Sequence, residues 1–175
     1  MQKSIINVIV LFFLCSFLGV KGMAQQSYNF KQNSVYIYNF IKYTEWASRK
    51  STIVVGIVGS TPVEEELKSL INHKKSPGLS LVIKRVSVEE AKKCDVLVVA
   101  QSAIEELKAL AKVTDKLPIL VITERPNMSR YGACISFTIN EDEDFKTEYQ
   151  LSLKNCKARG LKISDQIKNN AELMR

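Results

Sequence analysis

The chain has 175 residues, 46% of them hydrophobic, and a formal net charge of +7, which suits one domain around a single buried core. Its positive excess is scattered over lysines such as Lys74, Lys75, Lys92, Lys93, Lys108 and Lys112, so it reads as solubility and not as a nucleic-acid-binding element. Beyond that, composition weakly favours an anionic membrane or partner surface and excludes little else.

The first element is an apolar run over residues 5–20, behind Lys3 and ahead of "KGMAQQ". Small residues Gly22 and Ala24 precede a cleavage position, so residues 1–24 are expected to be a secretory signal peptide and residues 25–175 the mature, exported domain. The run is short of the roughly twenty residues that a spanning helix needs. Lipidation at Cys15 is the second choice, because bulky Leu14 stands before it. Removal of Lys3 and Lys21 with no acid takes the charge from +7 to +5.

Next comes "SVYIYNFIKYTEW", residues 34–46. At 100° per residue Val35, Tyr36, Ile37, Tyr38, Phe40, Ile41, Tyr43 and Trp46 spread almost around a helix, leaving no broad polar face. Such a helix has to be covered on more than one side. In one reading the sheet and neighbouring elements supply all of that cover; in the other part of it comes from another protein, with Tyr36, Phe40, Tyr43 and Trp46 as a candidate partner or dimer surface and Lys42 and Glu45 setting orientation.

"TIVVGIVG" (residues 52–59) is a buried strand bounded by glycine. "STPVEEELKSLIN" is a helix with Ser60 or Thr61 as cap, Pro62 in the first turn and Glu64, Glu65 and Glu66 at the positive end of the dipole. The unit recurs: "LSLVIKRV" strand, "SVEEAKKC" short helix, "DVLVVA" strand, "SAIEELKALAKV" helix, "PILVIT" strand. Strands alternating with helices predict a mostly parallel sheet with both faces covered. "GACISFTIN" and "FKTEYQLSL", separated by "EDED", predict an antiparallel hairpin. A helix from about Ser152 stops at Gly160, and a last helix over "ISDQIKNNAELMR" has Ser164 as its N-cap and Ile167, Ala171 and Met174 on one face. The expected fold is a three-layer α/β sandwich, Rossmann- or flavodoxin-like, with an antiparallel C-terminal hairpin.

Chemistry is sparse. Ligands of open α/β sheets collect at the carboxyl ends of strands, here around Gly59, Ser60 and Gln101, and a small-ligand carrier or enzyme using that edge is the alternative reading. Yet Gly56 and Gly59 are spaced GxxG, without the glycine pattern or lysine of a phosphate loop, and the three glutamates repel an anion at the helix start. His73 is the sole histidine and sits in a polar loop, which leaves no base for nucleophilic catalysis. Cys94, Cys134 and Cys156 are 40 and 22 residues apart, matching no zinc spacing; they permit at most one internal disulfide, with the pairing open. "EDED" lacks the ligand pattern of a calcium loop. No catalytic residue, metal or cofactor is expected.

These residues resemble the YfiR family of small secreted bacterial proteins. "YIYNFIKYTEW" is similar to the family's opening helix in Tyr38, Asn39, Phe40, Lys42, Tyr43 and Trp46. "IVVGIVG" resembles the first strand, "CDVLVVAQS" the cysteine-led strand with Asp95 where histidine is common, and "LPILVITE" the next strand. "GACISF" resembles the Gly-x-x-Ile-Asn-Phe element with Ser136 for Asn, "YQLS" replaces Phe-Glu-Ile-Asn, and "GLKISDQI" resembles the C-terminal segment. The resemblance implies a periplasmic, non-catalytic regulator that binds the periplasmic domain of a membrane-anchored signalling protein, typically a diguanylate cyclase, and so controls cyclic di-GMP and biofilm formation. Related domains look like input modules for sensor kinases. Cys94 stands where the family often has cysteine, while Gly56 and Ile57 offer it no thiol. A homodimer through the first helix is a further expectation.

Overall fold

A computed structural model describes residues 29–46, 50–74, 78–143 and 145–174. The expected signal peptide, its cleavage after Ala24 and Cys15 lie outside the described residues.

Helix α1 (Phe30–Lys42) starts at Asn29, whose side chain accepts from the Gln32 N–H, the usual service of an Asn cap. It ends earlier than its aromatic pattern predicts. The Thr44 hydroxyl donates to the Phe40 carbonyl at 2.6 Å, and the chain turns into strand β1 (Thr44–Glu45). Strand β2 (Thr52–Val58), helix α2 (Val63–His73) and strand β3 (Ser80–Arg85) follow. A 3₁₀ turn (Ala91–Lys93) stands where "SVEEAKKC" predicts a helix.

Strand β4 (Val96–Val99) leads through a 3₁₀ segment (Gln101–Glu106), kinked at Ala103, into helix α3 (Leu107–Val113). Strand β5 (Leu120–Thr123), a 3₁₀ turn (Ser129–Tyr131), and the hairpin of β6 (Ile135–Asn140) and β7 (Lys146–Leu151) come next. Helix α4 (Leu153–Ala158) is capped by Ser152 and is followed by Gly160 at φ +70°, as the sequence predicts.

The last segment departs from expectation. After β8 (Lys162–Ile163), helix α5 is only Asp165–Lys168, and Glu172–Leu173 forms β9. Strand β7 offers a free edge, and β9 takes it in parallel register, Gln150 beside Glu172 and Leu151 beside Leu173. Backbone pairing wins over a marginal helix interrupted by Asn169 and Asn170.

The main sheet has the order β3-β2-β4-β5-β6-β7-β9. Its pairs are parallel from β3 to β6, β6 and β7 are antiparallel, and β7 and β9 are parallel. A separate ribbon pairs β1 with β8, Thr44 opposite Ile163 and Glu45 opposite Lys162. All four residues of β4 and of β5 are buried, the burial expected of a parallel sheet covered on both faces. Alternation then sorts the side chains into two cores. Val96, Val98, Leu120 and Ile122 face α1 and α2, while Leu97, Val99 and Val121 face the α3 side.

Candidate partner-docking surface

The aromatic helix divides its side chains between core and surface. Phe40 is 1% exposed and its ring centroid lies 4.7 Å from Tyr149 and 6.0 Å from Phe137. Tyr36 completes the cluster, 6.0 Å from Phe40 and 5.3 Å from Tyr149. Phe40 is therefore corrected from a surface anchor to a core residue, and half-buried Tyr36 serves chiefly as its cover. Tyr149 donates to the Ile167 carbonyl at 2.7 Å, and burial raises its phenol to about 12, so it remains a neutral donor.

The remaining candidates gather where α1 runs into β1. Lys42 and Glu45 are exposed, and Tyr43 and Trp46 are half-buried. Lys42 Nζ lies 5.1 Å from the Tyr43 ring centroid, a cation–π contact. Trp46 Nε1 donates to the Ile41 carbonyl at 3.4 Å. The Tyr43 carbonyl accepts from the Ser164 N–H, so β8 fixes the backbone of this corner. Two grooves flank it. One, of about 370 Å³, is lined by Lys42, Trp46, Lys50 and Leu79 among others; the second, of about 670 Å³, lies between Glu45 and Leu153, Leu161 and Ile163. Sequence reasoning missed this second wall. Its only signal was "GLKIS", 115 residues or more from Glu45 in the chain.

At the carboxyl ends of the strands the chain order reverses between β2 and β4, where doubly wound folds usually open a crevice. Here loops close it. The Ser60 N–H donates to Ser102 Oγ at 3.0 Å, and Ser102 Oγ donates to the Ser60 carbonyl at 3.1 Å. Gly59 has φ +87°, and a Cβ there would lie 2.6 Å from that of Ala103. Glu124, 3% exposed, accepts from the Thr61 hydroxyl and, at 2.9 Å, from the Gln101 N–H. Burial pushes its carboxyl above the ordinary range, against those two hydrogen bonds. Gly59, Ser60 and Gln101 thus meet, but in a loop tie.

The three cysteines are buried free thiols. Cys94 lies against Gly56, where a Cβ would be 2.7 Å from its sulfur. The neighbouring Cys134 thiol and burial push the Cys156 thiol up. His73 is exposed, its Nδ1 2.7 Å from the Ser69 carbonyl oxygen. Among the described residues no group of three or more His, Cys, Asp or Glu side chains is placed to hold a metal, and no helix is long and apolar enough to cross a membrane.

A family model described as YfiR/HmsC-like matches residues 30–172. No curated protein matches the sequence. Similar solved structures include a conserved domain protein from Vibrio cholerae O1 biovar El Tor, with a TM-score of 0.56 at 13% identity, over 84% of this chain and 60% of that one. Another is an ABC domain in complex with L-Trp from Streptococcus pneumoniae, with a TM-score of 0.51 at 13% identity, over 82% of this chain and 59% of that one. At that identity the likeness is one of fold, and the chain spans about 60% of the length of these neighbours.

Proposed function

The chain belongs to the YfiR/HmsC-like family, and from that premise we propose that it is a periplasmic, non-enzymatic regulator that docks on the periplasmic domain of a membrane-anchored signalling enzyme. The enzyme is a diguanylate cyclase or a sensor kinase, and docking holds it inactive. The observation that carries the reading is the corner formed by Lys42, Tyr43, Glu45 and Trp46. It sets two half-buried aromatic side chains and two exposed charges of opposite sign on a backbone held by β8. Aromatic anchors within a charged rim are what a protein interface needs. The closed crevice between β2 and β4 supports a binding role over catalysis at that edge.

Deletion of the gene, with cyclic di-GMP measured in the cells, tests this function. A rise reversed by the wild-type chain, but not by a Tyr43→Ala/Trp46→Ala double variant that is exported at normal level, is the expected outcome. A double variant that restores repression fully would remove the corner from the proposal. An unchanged nucleotide level would move the output from a cyclase to the kinase alternative.

A further inference from the structure

One strand over from the closed crevice, a cavity of about 190 Å³ opens between the segments that follow β4 and β5. Lys108, Arg125 and Arg130 line it, with Tyr131 and Glu105, above buried Met128. Three cations thus face one carboxylate. Among the described residues no carboxylate forms an ion pair with Lys108, Arg125 or Arg130. Tyr131 gathers two of them: Lys108 Nζ is 5.4 Å and Arg130 Cζ 4.9 Å from its ring centroid.

The loop that carries both arginines is held by side chains from four other elements. The Thr123 hydroxyl donates to the Arg125 carbonyl at 2.9 Å. Asn127, at φ +62°, is gripped by Gln150, which accepts from its N–H at 2.7 Å and donates to its Oδ1 at 3.0 Å. Ser136 Oγ accepts from the Met128 N–H at 3.3 Å. The Asn155 amide donates to the Ser129 and Ala133 carbonyls, each at 2.7 Å. Such bracing lowers the ordering cost of binding. It also fixes the loop of Arg125 and Arg130 across the cavity from Lys108 of α3, an arrangement of like charges that an oxyanion relieves through the forked guanidinium donors.

We propose that this cavity is a binding site for a small dianionic oxyacid, phosphate- or carboxylate-bearing. The excess of two positive charges in the lining matches a dianion, and the volume is below the roughly 300 Å³ at which drug-sized ligand sites begin. The site is distinct from the docking corner and stands whether or not that corner binds a partner.

The test is titration of the folded protein with inorganic phosphate and, separately, with succinate. Ionic strength is held constant with chloride, and binding is read by calorimetry and amide chemical shifts. Saturable binding of at least one probe is expected, with shifts centred on residues 104–108 and 125–131. Arg125→Gln and Arg130→Gln should each weaken it about tenfold, the scale of one charge-assisted hydrogen bond, with unchanged melting temperatures because both side chains are exposed. Saturation by phosphate alone assigns a phosphoryl group, and by succinate alone a dicarboxylate. Lack of saturation by either probe, or saturation that both variants leave untouched, would overturn the site.

Discussion

The rings of Phe40 and Tyr149 meet edge to face, 4.7 Å apart and inclined by 69°. This contact locks the inner stripe of α1 onto β7 and β6, because Phe137 and Tyr36 join the same cluster. Aromatic pairs of this kind contribute beyond their buried area. The middle of the helix is thus core, and the docking proposal rests on its C-terminal end.

Substitution should separate those roles. Phe40→Ala is expected to lower the unfolding free energy by about 3–5 kcal/mol, the range for truncating a buried aromatic ring. Lys42→Ala, on an exposed side chain, should change it by about 0.5 kcal/mol or less. Denaturant unfolding checks both, and a Phe40→Ala protein of wild-type stability would contradict the core assignment.

Glu124 gives a pH dependence with a defined sign. Its native carboxyl is held above the ordinary value of 4.5 by burial, so the folded state binds the proton more tightly than the unfolded chain. Its contribution is therefore full below 4.5 and is lost as pH rises from 4.5 through the raised native value. Glu64 acts in the opposite sense: Lys68 and then Arg85 lower it, so its contribution is lost only as pH falls below 4.5. Glu124→Gln keeps an acceptor in place without the charge. Unfolding curves from pH 4 to 8 should show a smaller fall in stability with rising pH in the variant, and parallel curves would refute the assignment.

Gly56 is required by Cys94. A Cβ at position 56 would lie 2.7 Å from the Cys94 sulfur and 2.8 Å from a Val86 methyl. Gly56→Ala should cost about 1–3 kcal/mol by overpacking, and Cys94→Ala in the same chain should recover part of it. Calorimetric melting of both variants measures the coupling; strictly additive losses would show that the two sites are independent.

The Cys134 and Cys156 thiols perturb one another, so they are the pair expected to form a disulfide if the chain folds in an oxidising compartment. Loss of two protons and two electrons to a thiol oxidase would join the residue just ahead of β6 to α4 and leave Cys94 free. Non-reducing peptide mapping of the exported protein should find that single link. A link involving Cys94 would contradict the packing around Gly56.

Much of the fold is legible because local patterns and tertiary packing agree. The β-branched runs of β2, β4 and β5, the Ser152 cap and Gly160 each mean the same thing in isolation as in the folded chain. The misreadings occur where distant residues decide. Nothing near Thr44 in the chain reveals that its strand pairs with Ile163, or that Ser164 takes the Tyr43 carbonyl. Glu172 and Leu173 become a strand only because β7 has an open edge. Among the proposed surface residues, helical periodicity cannot separate Phe40 from Tyr43, since a helix hydrophobic all round leaves its outward face unmarked. The cationic cavity was invisible for a similar reason, as Lys108 and Arg130 are brought together by packing on Tyr131.

The docking claim is tested most directly by photo-crosslinking in cells from position 45, where exposed Glu45 stands beside one groove and next to Trp46 of the other. A photoreactive residue replaces Glu45 and the captured species is identified by mass spectrometry. An adduct with a membrane-anchored signalling protein is expected, attached through its periplasmic domain and lost when Tyr43 and Trp46 are both changed to Ala. Adducts only with a second copy of the chain, or none from an exported and folded protein, would contradict it.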